Sequence, residues 1–146
     1  MSRVVAVSYS DKSSGGHTLR SSILKETVNQ WLGLGFEVHV VSDCELTLPR
    51  DDRVFVHVVS NPRYGRYGMP WEAIEKLKEI GHRYDVVAYA EDDIFVHSRA
   101  FAMWTQHKDR IDLNVTFYRV EKDHIHITDG FKRGMAWEKR LSNDQM

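Results

Sequence analysis

The chain has 146 residues, 42% of them hydrophobic, with 20 basic against 21 acidic side chains and a formal net charge of −1. That is enough material for one core, so residues 1–146 are expected to form a single domain, and the balanced charge offers no field that would draw it onto nucleic acid or an acidic membrane. The single cysteine, Cys44, excludes an intrachain disulfide and a multi-cysteine zinc site; no run approaches the roughly 18 apolar residues of a transmembrane segment, and a cytoplasmic location is expected.

Val4 to Tyr9 is short, β-branched and nearly continuously apolar, and it runs into the polar, glycine-bearing stretch Ser10 to Gly16. This is the pattern of a buried strand entering a loop. Leu19, Ile23, Leu24, Val28, Trp31 and Leu32 then recur at helical spacing, with Gly33 and Gly35 as candidate left-handed positions at the end. Phe36, Val38 and Val40 alternate with Glu37 and His39 before Ser42 and Asp43, completing a strand, helix, strand unit that is normally right-handed.

Val54 to Val59 predicts a third strand and Asn61 to Gly68 a loop. Pro70 suits the first turn of a second helix, in which Trp71, Ile74, Leu77 and Ile80 fall near one face and Glu72 pairs with Lys76. Asp85 to Ala90 lacks polar alternation, which suits a central strand covered on both faces, and Glu91-Asp92-Asp93 stands at its carboxyl end. Ser98 is the expected N-cap of a third helix carrying Phe101 and Trp104. Val115 to Val120 and Ile125 to Thr128 read as later strands, with a hairpin around Glu121-Lys122-Asp123. Trp31, Trp71 and Trp104 sit in helical patterns and are expected in the core. Strands alternating with helices predict an α/β, three-layer sandwich around a mainly parallel, Rossmann-like sheet.

Three adjacent carboxylates repel one another, and at the lip of a buried strand they are partly desolvated, so a divalent cation relieves the strain. Hard oxygen ligands suit Mg2+ or Mn2+, and open α/β sheets bind ligands beyond the carboxyl ends of their strands. The same residues also read as an acidic turn leading into the Ser98 helix. Arg63 and Arg66 carry forks that suit phosphate oxygens, with Tyr64 and Tyr67 available for stacking, although a solvated Arg-Tyr loop has the same composition. On a strand, His124 and His126 share one face, which is either solvated or ligating. Asp129 or Glu138 is the candidate general base. Trp137, beside Glu138, is either a sugar-stacking ring or a clamp for the C-terminus.

The segment Tyr84-Asp85-Val86-Val87-Ala88-Tyr89-Ala90-Glu91-Asp92-Asp93-Ile94, followed by Ser98-Arg99-Ala100-Phe101 and Trp104, resembles the acidic metal-binding segment of GT-A type glycosyltransferases. The resemblance implies sugar transfer from a nucleotide-sugar donor, a UDP- or GDP-sugar, to a glycan, protein or small-molecule acceptor. It makes Glu91 and Asp93 the outer ligands of Mn2+ or Mg2+ and sets Asp92 at the motif's centre, against the donor diphosphate. It also gives Asp43 a contact to the base, lines the nucleotide pocket with Ser8, Tyr9 and Ser10, and lets His126 complete the metal's shell. Read without it, Asp43 equally caps a loop and Tyr9 is equally a half-buried strand-end aromatic. Family members devote a C-terminal portion to the acceptor, and here only a short one follows the expected strands. A non-catalytic nucleotide- or metal-binding module therefore stays open as an alternative, as does a Mg2+-dependent phosphoesterase.

Overall fold

The computed structural model describes residues 1–11, 17–109, 119–121 and 124–126, with 17–19, 66, 119–121 and 124–126 as backbone only. The chain divides into two compact units, Met1–Val96 and His97–Met146.

The first unit is built around β1, Arg3–Tyr9. Val4, Val5, Ala6 and Val7 are all fully buried, and each buried valine contributes about 1.5–3 kcal/mol relative to exposure. A strand this apolar on both faces must lie inside a sheet with cover above and below. It does so in a four-stranded parallel sheet of order β3-β2-β1-β5, where β2 is Glu37–Ser42, β3 Val54–Val58 and β5 Val86–Glu91. The expected parallel α/β arrangement is therefore present. Helix α1, His17–Gly33, joins β1 to β2, and α2, Met69–Ile80, leads back across the sheet to β5 through a 3-10 turn at Gly81–Arg83. Strand β4, Arg63–Arg66, occupies the segment expected to be loop.

Met69, Ala73, Leu77 and Ile80 of α2 pack on Val4, Ala6 and Val41. The opposite face, with Val5, Val7, Val38 and Val40, is equally dry, and Leu24, Thr27, Val28 and Trp31 form the buried stripe of α1. Of the two glycines expected near the end of α1, Gly35 takes the left-handed position, at φ 82°. Its N–H donates to Leu32 O, Phe36 N–H donates to Trp31 O, and the Trp31 and Phe36 rings meet edge-on at 4.8 Å. This is a Schellman closure with its hydrophobic contact.

Three expectations are corrected here. Among the described residues β5 is an edge strand rather than a central one: it pairs only with β1, and Val87 is 48% exposed. Trp71 is not in the core but 60% exposed, because α2 is rotated to bury Met69 and Ala73 in place of Trp71 and Ile74. Glu72 bonds not to Lys76 but to the backbone N–H of Arg63, while Lys76 pairs with Glu79.

A polar chain shares the α2 face of the sheet. Tyr84 Oη donates to Glu37 Oε1 at 2.7 Å, and His39 Nε2 lies 2.8 Å from the same oxygen. His39 Nδ1 lies 2.8 Å from His57 Nε2, with the two ring planes within 5° of parallel. A carboxylate only accepts, so His39 carries its proton on Nε2 and takes the His57 N–H at Nδ1. Burial tends to raise the Glu37 carboxyl, but the bonds from Tyr84 and His39 outweigh it and leave its pKa below the ordinary 4.5. Burial, then Lys76 and His39, push His57 below its usual 6.5.

The second unit holds α3, Ser98–His107, and a two-stranded antiparallel pair, β6 Arg119–Glu121 and β7 His124–His126, within the expected strand regions, of which residues 115–118, 122–123 and 127–128 lie outside the described residues. The N-cap of α3 is His97 rather than Ser98: its Nδ1 accepts from Arg99 N–H at 3.1 Å. Among the described residues no helix is long and apolar enough to cross a membrane.

His57→Gln keeps an N–H for His39 but does not titrate. Because folded His57 holds a proton less well than the unfolded residue at 6.5, the unfolded state takes up more protons as pH falls. The wild type therefore loses stability relative to His57→Gln from about pH 6.5 downward, by at most about 1.4 kcal/mol per pH unit. Urea midpoints of the two chains between about pH 7.5 and 5.5 measure the difference, and parallel curves would refute the assignment.

Candidate functional site

The strand order sets a crevice. From β1 the chain moves outward through β2 to β3, then returns to the other side of β1 as β5, so the strand order reverses beside β1. That reversal is the point where open α/β sheets take ligands. Ser8, Tyr9 and Ser10 stand on one side of it, and Glu91, Asp92 and Asp93 on the other, with Ser8 in register with Glu91.

The three acids do not act alike. Glu91 closes β5 and is exposed, Ile94 N–H donates back to Glu91 O in a tight turn, and Asp93 is exposed on that turn. Asp92 between them points inward and is 2% exposed. Its Oδ1 accepts from Arg20 Nη2 at 2.9 Å, and its backbone carbonyl accepts from Thr27 Oγ1 at 2.6 Å. Both partners lie on α1. Burial raises the Asp92 carboxyl to about 6, with Arg20 opposing the rise and Asp93 and Glu91 adding to it. Asp92 Oδ2 and Arg20 Nε are buried and find no hydrogen-bond partner among the described residues. Asp92 thus anchors the acidic turn to α1, and the outward chemistry rests with Glu91 and Asp93.

Asp43, just past β2, receives Ser10 Oγ–H at 2.6 Å on Oδ2 and Asp11 N–H at 3.1 Å on Oδ1. It tethers the exit of β1, the loop-capping geometry. Tyr9 has its ring in the core, 1% exposed, and its hydroxyl reaches Asp11 at 3.3 Å. Burial, then Asp11, raises its pKa to about 12, so it stays a neutral donor. Ser8 and Tyr89 share a hydroxyl–hydroxyl bond of 3.0 Å across the crevice.

Arg63 lies beyond the end of β3, with Nε 3.8 Å from Glu72 Oε1 and its side chain largely exposed. Arg66 is placed by its backbone in β4, and His126 by its backbone in β7. Asp129 and Glu138 lie outside the described residues. The structure therefore brings together Tyr9, Asp43, Glu91, Asp92 and Asp93 at one end of adjacent strands, and sets Arg63 at the end of β3. Among the described residues no three His, Cys, Asp or Glu side chains form a ready cation cage.

Sequence reasoning missed Arg20. The signal was present: Arg20, Leu24, Thr27 and Trp31 recur at helical spacing on one stripe, and a cation on a buried stripe requires a buried anion.

Replacing Arg20 with Met leaves the Asp92 carboxylate buried without its cation. At about pH 7.5 the variant is expected to lose about 2 kcal/mol, less than a fully buried pair because Arg20 is partly exposed. The loss shrinks at about pH 5, where the carboxyl, already raised to about 6 in the folded state, holds a proton and needs no cation. Denaturant titrations at both pH values test this, and equal losses would contradict it. Set against known proteins, the chain matches no family model, no curated protein and no solved structure.

Proposed function

We propose that the first unit binds the diphosphate of a nucleotide sugar through a divalent cation on Glu91 and Asp93, and that the chain transfers the sugar to a hydroxyl acceptor. The observation that carries this reading is the outward pair Glu91 and Asp93 at the carboxyl end of β5, at the point where the parallel sheet reverses its strand order. The resemblance of Tyr84 to Ile94 to the GT-A metal-binding segment supports it.

The donor set fits the group. Mg2+ and Mn2+ take hard oxygen ligands, and magnesium in phosphate sites uses one or two carboxylates, with substrate phosphates and water filling the rest. Two exposed carboxylates on one tight turn meet that need without a protein cage. When bound, such a cation stabilises the negative charge that develops on the departing nucleoside diphosphate. The chain's own residues do the positioning. Arg20 and Thr27 hold the turn from beneath, so Glu91 and Asp93 stay outward without the inner carboxylate competing for the same cation. Asp43 fixes the loop after β1 opposite them through Ser10 and the Asp11 N–H.

Calorimetry with UDP and GDP, with and without Mn2+, tests the reading. Binding is expected to require the metal and to weaken about ten- to hundredfold in Asp93→Ala and in Glu91→Ala, the worth of one charged ligand. Both side chains are exposed, so thermal stability should stay unchanged. Nucleotide binding indifferent to metal and to both substitutions would overturn the assignment. Binding with no donor turnover in the presence of hydroxyl acceptors would leave a nucleotide-binding module in place of a transferase.

A further inference from the structure

At the other end of the carboxyl edge, beyond β3, Tyr64 is 68% exposed and Trp71 is 60% exposed. Single apolar side chains on a surface are ordinary. These two line one groove of about 260 Å³ together with Arg63, Glu72 and Glu75, and the backbone that presents them is constrained. Gly65 N–H donates to Pro62 O, Gly65 sits at φ 63°, and Gly68 N–H donates to Gly65 O at 2.9 Å. A Cβ on Gly68 would stand 2.8 Å from Tyr64 Cβ, so the start of α2 closes on the tyrosine backbone. Glu72 accepts the Arg63 N–H at 3.2 Å and binds the strand to the helix.

The charges lining the groove are matched. Arg63 faces Glu72, and Glu75 is paired with Lys78 Nζ at 2.9 Å. Among the described lining side chains a polyanion finds no unshared cation, and an organic cation finds no unshared carboxylate. What remains is aromatic surface rimmed by polar groups that both donate and accept. That combination suits a neutral ligand with an apolar face and a ring of hydroxyls. Pockets for drug-sized ligands run roughly 300–1,000 Å³, so this groove takes a single ring.

We propose that the Tyr64–Trp71 groove is a saccharide subsite: a sugar ring lays its C–H face on the aromatic rings, and its hydroxyls bond Arg63, Glu72 and Glu75. The saccharide assignment stands on the groove alone, and its role as a hold on the acceptor rests on the transferase reading. The groove is lined from β4 and α2 and does not include Glu91 or Asp93, so the ring held here is a ring of the acceptor other than the one that reacts.

A glycan microarray of neutral and sulfated oligosaccharides, probed with the full chain in EDTA and without nucleotide, tests the subsite. Neutral glycans are expected to bind, with affinity lowered about tenfold or more in Trp71→Ala and in Tyr64→Ala, as for truncation of an aromatic anchor. Lys25→Ala, at an exposed position on α1 outside the groove, should bind like the wild type. Both aromatics are exposed, so unchanged melting temperatures separate lost contact from lost fold. No binding to neutral glycans, binding unaffected by both aromatic variants, or preference for sulfated glycans would overturn the proposal. Glycan binding that needs Trp71, in a chain whose nucleotide binding ignores metal, would uphold the subsite and sink the transferase reading alone.

Discussion

The first unit depends on β1 being dry on both faces. Val4 to Val7 have no exposure, so β1 needs a strand on each flank and a helix on each side. One helix is supplied by the crossover to β2. The other must come from a segment that returns across the sheet, and α2 provides it between β3 and β5. The outward path followed by the return makes the strand order reverse beside β1. The crevice at the carboxyl ends is therefore a consequence of an apolar run four residues long, and the residues that follow β1 and β5 meet there whatever their own chemistry.

Within that crevice the decisive interaction is Arg20 with Asp92. Two like charges about 4 Å apart at an effective dielectric near 20 repel by about 4 kcal/mol, and three adjacent carboxylates on one lip face more than one such term. The fold relieves this by direction. Strand alternation and the Glu91–Ile94 turn send the middle acid to α1, where burial raises its pKa and a guanidinium balances the charge it keeps, and send the outer two to solvent. The Thr27 bond to the Asp92 carbonyl fixes the same point from the backbone. The motif is one buried anchor and two exposed carboxylates.

The strands and helices were legible because their periods are local. Alternation at Phe36 to Val40, the continuous run at Val4 to Val7 and the helical spacing from Leu19 to Leu32 each need only their own side chains. What was not legible depends on neighbours. An apolar run at Val86 to Ala90 is the same for a central strand and for an edge strand with Val87 exposed. Ser98 has the composition of an N-cap, yet the turn after Asp93 delivers His97 to that position, and its Nδ1 caps as well as a hydroxyl. Of the candidate site residues, Asp43 was readable as either base contact or loop cap, and its two bonds to Ser10 and Asp11 give the cap geometry. Tyr9 alternates onto the α1 face of β1, a placement that requires knowing which face α1 covers.

The exposure of Trp71 follows from the polar chain beneath α2. That face of the sheet has an apolar part, Val4, Ala6 and Val41, and a polar part, Glu37, His39 and His57. Only one rotation of α2 lays its apolar stripe on the first while Lys76 and Glu79 face His57 from the second, and that rotation buries Met69, Ala73, Leu77 and Ile80. Trp71 follows Met69 by two residues, about 200° around the helix, and so must face solvent. Glu72, one residue further, lies over the β4 backbone and takes the Arg63 N–H. The aromatic groove is thus set by the same burial that seats α2, and a sequence pattern that ignores Glu37, His39 and His57 assigns Trp71 to the wrong side.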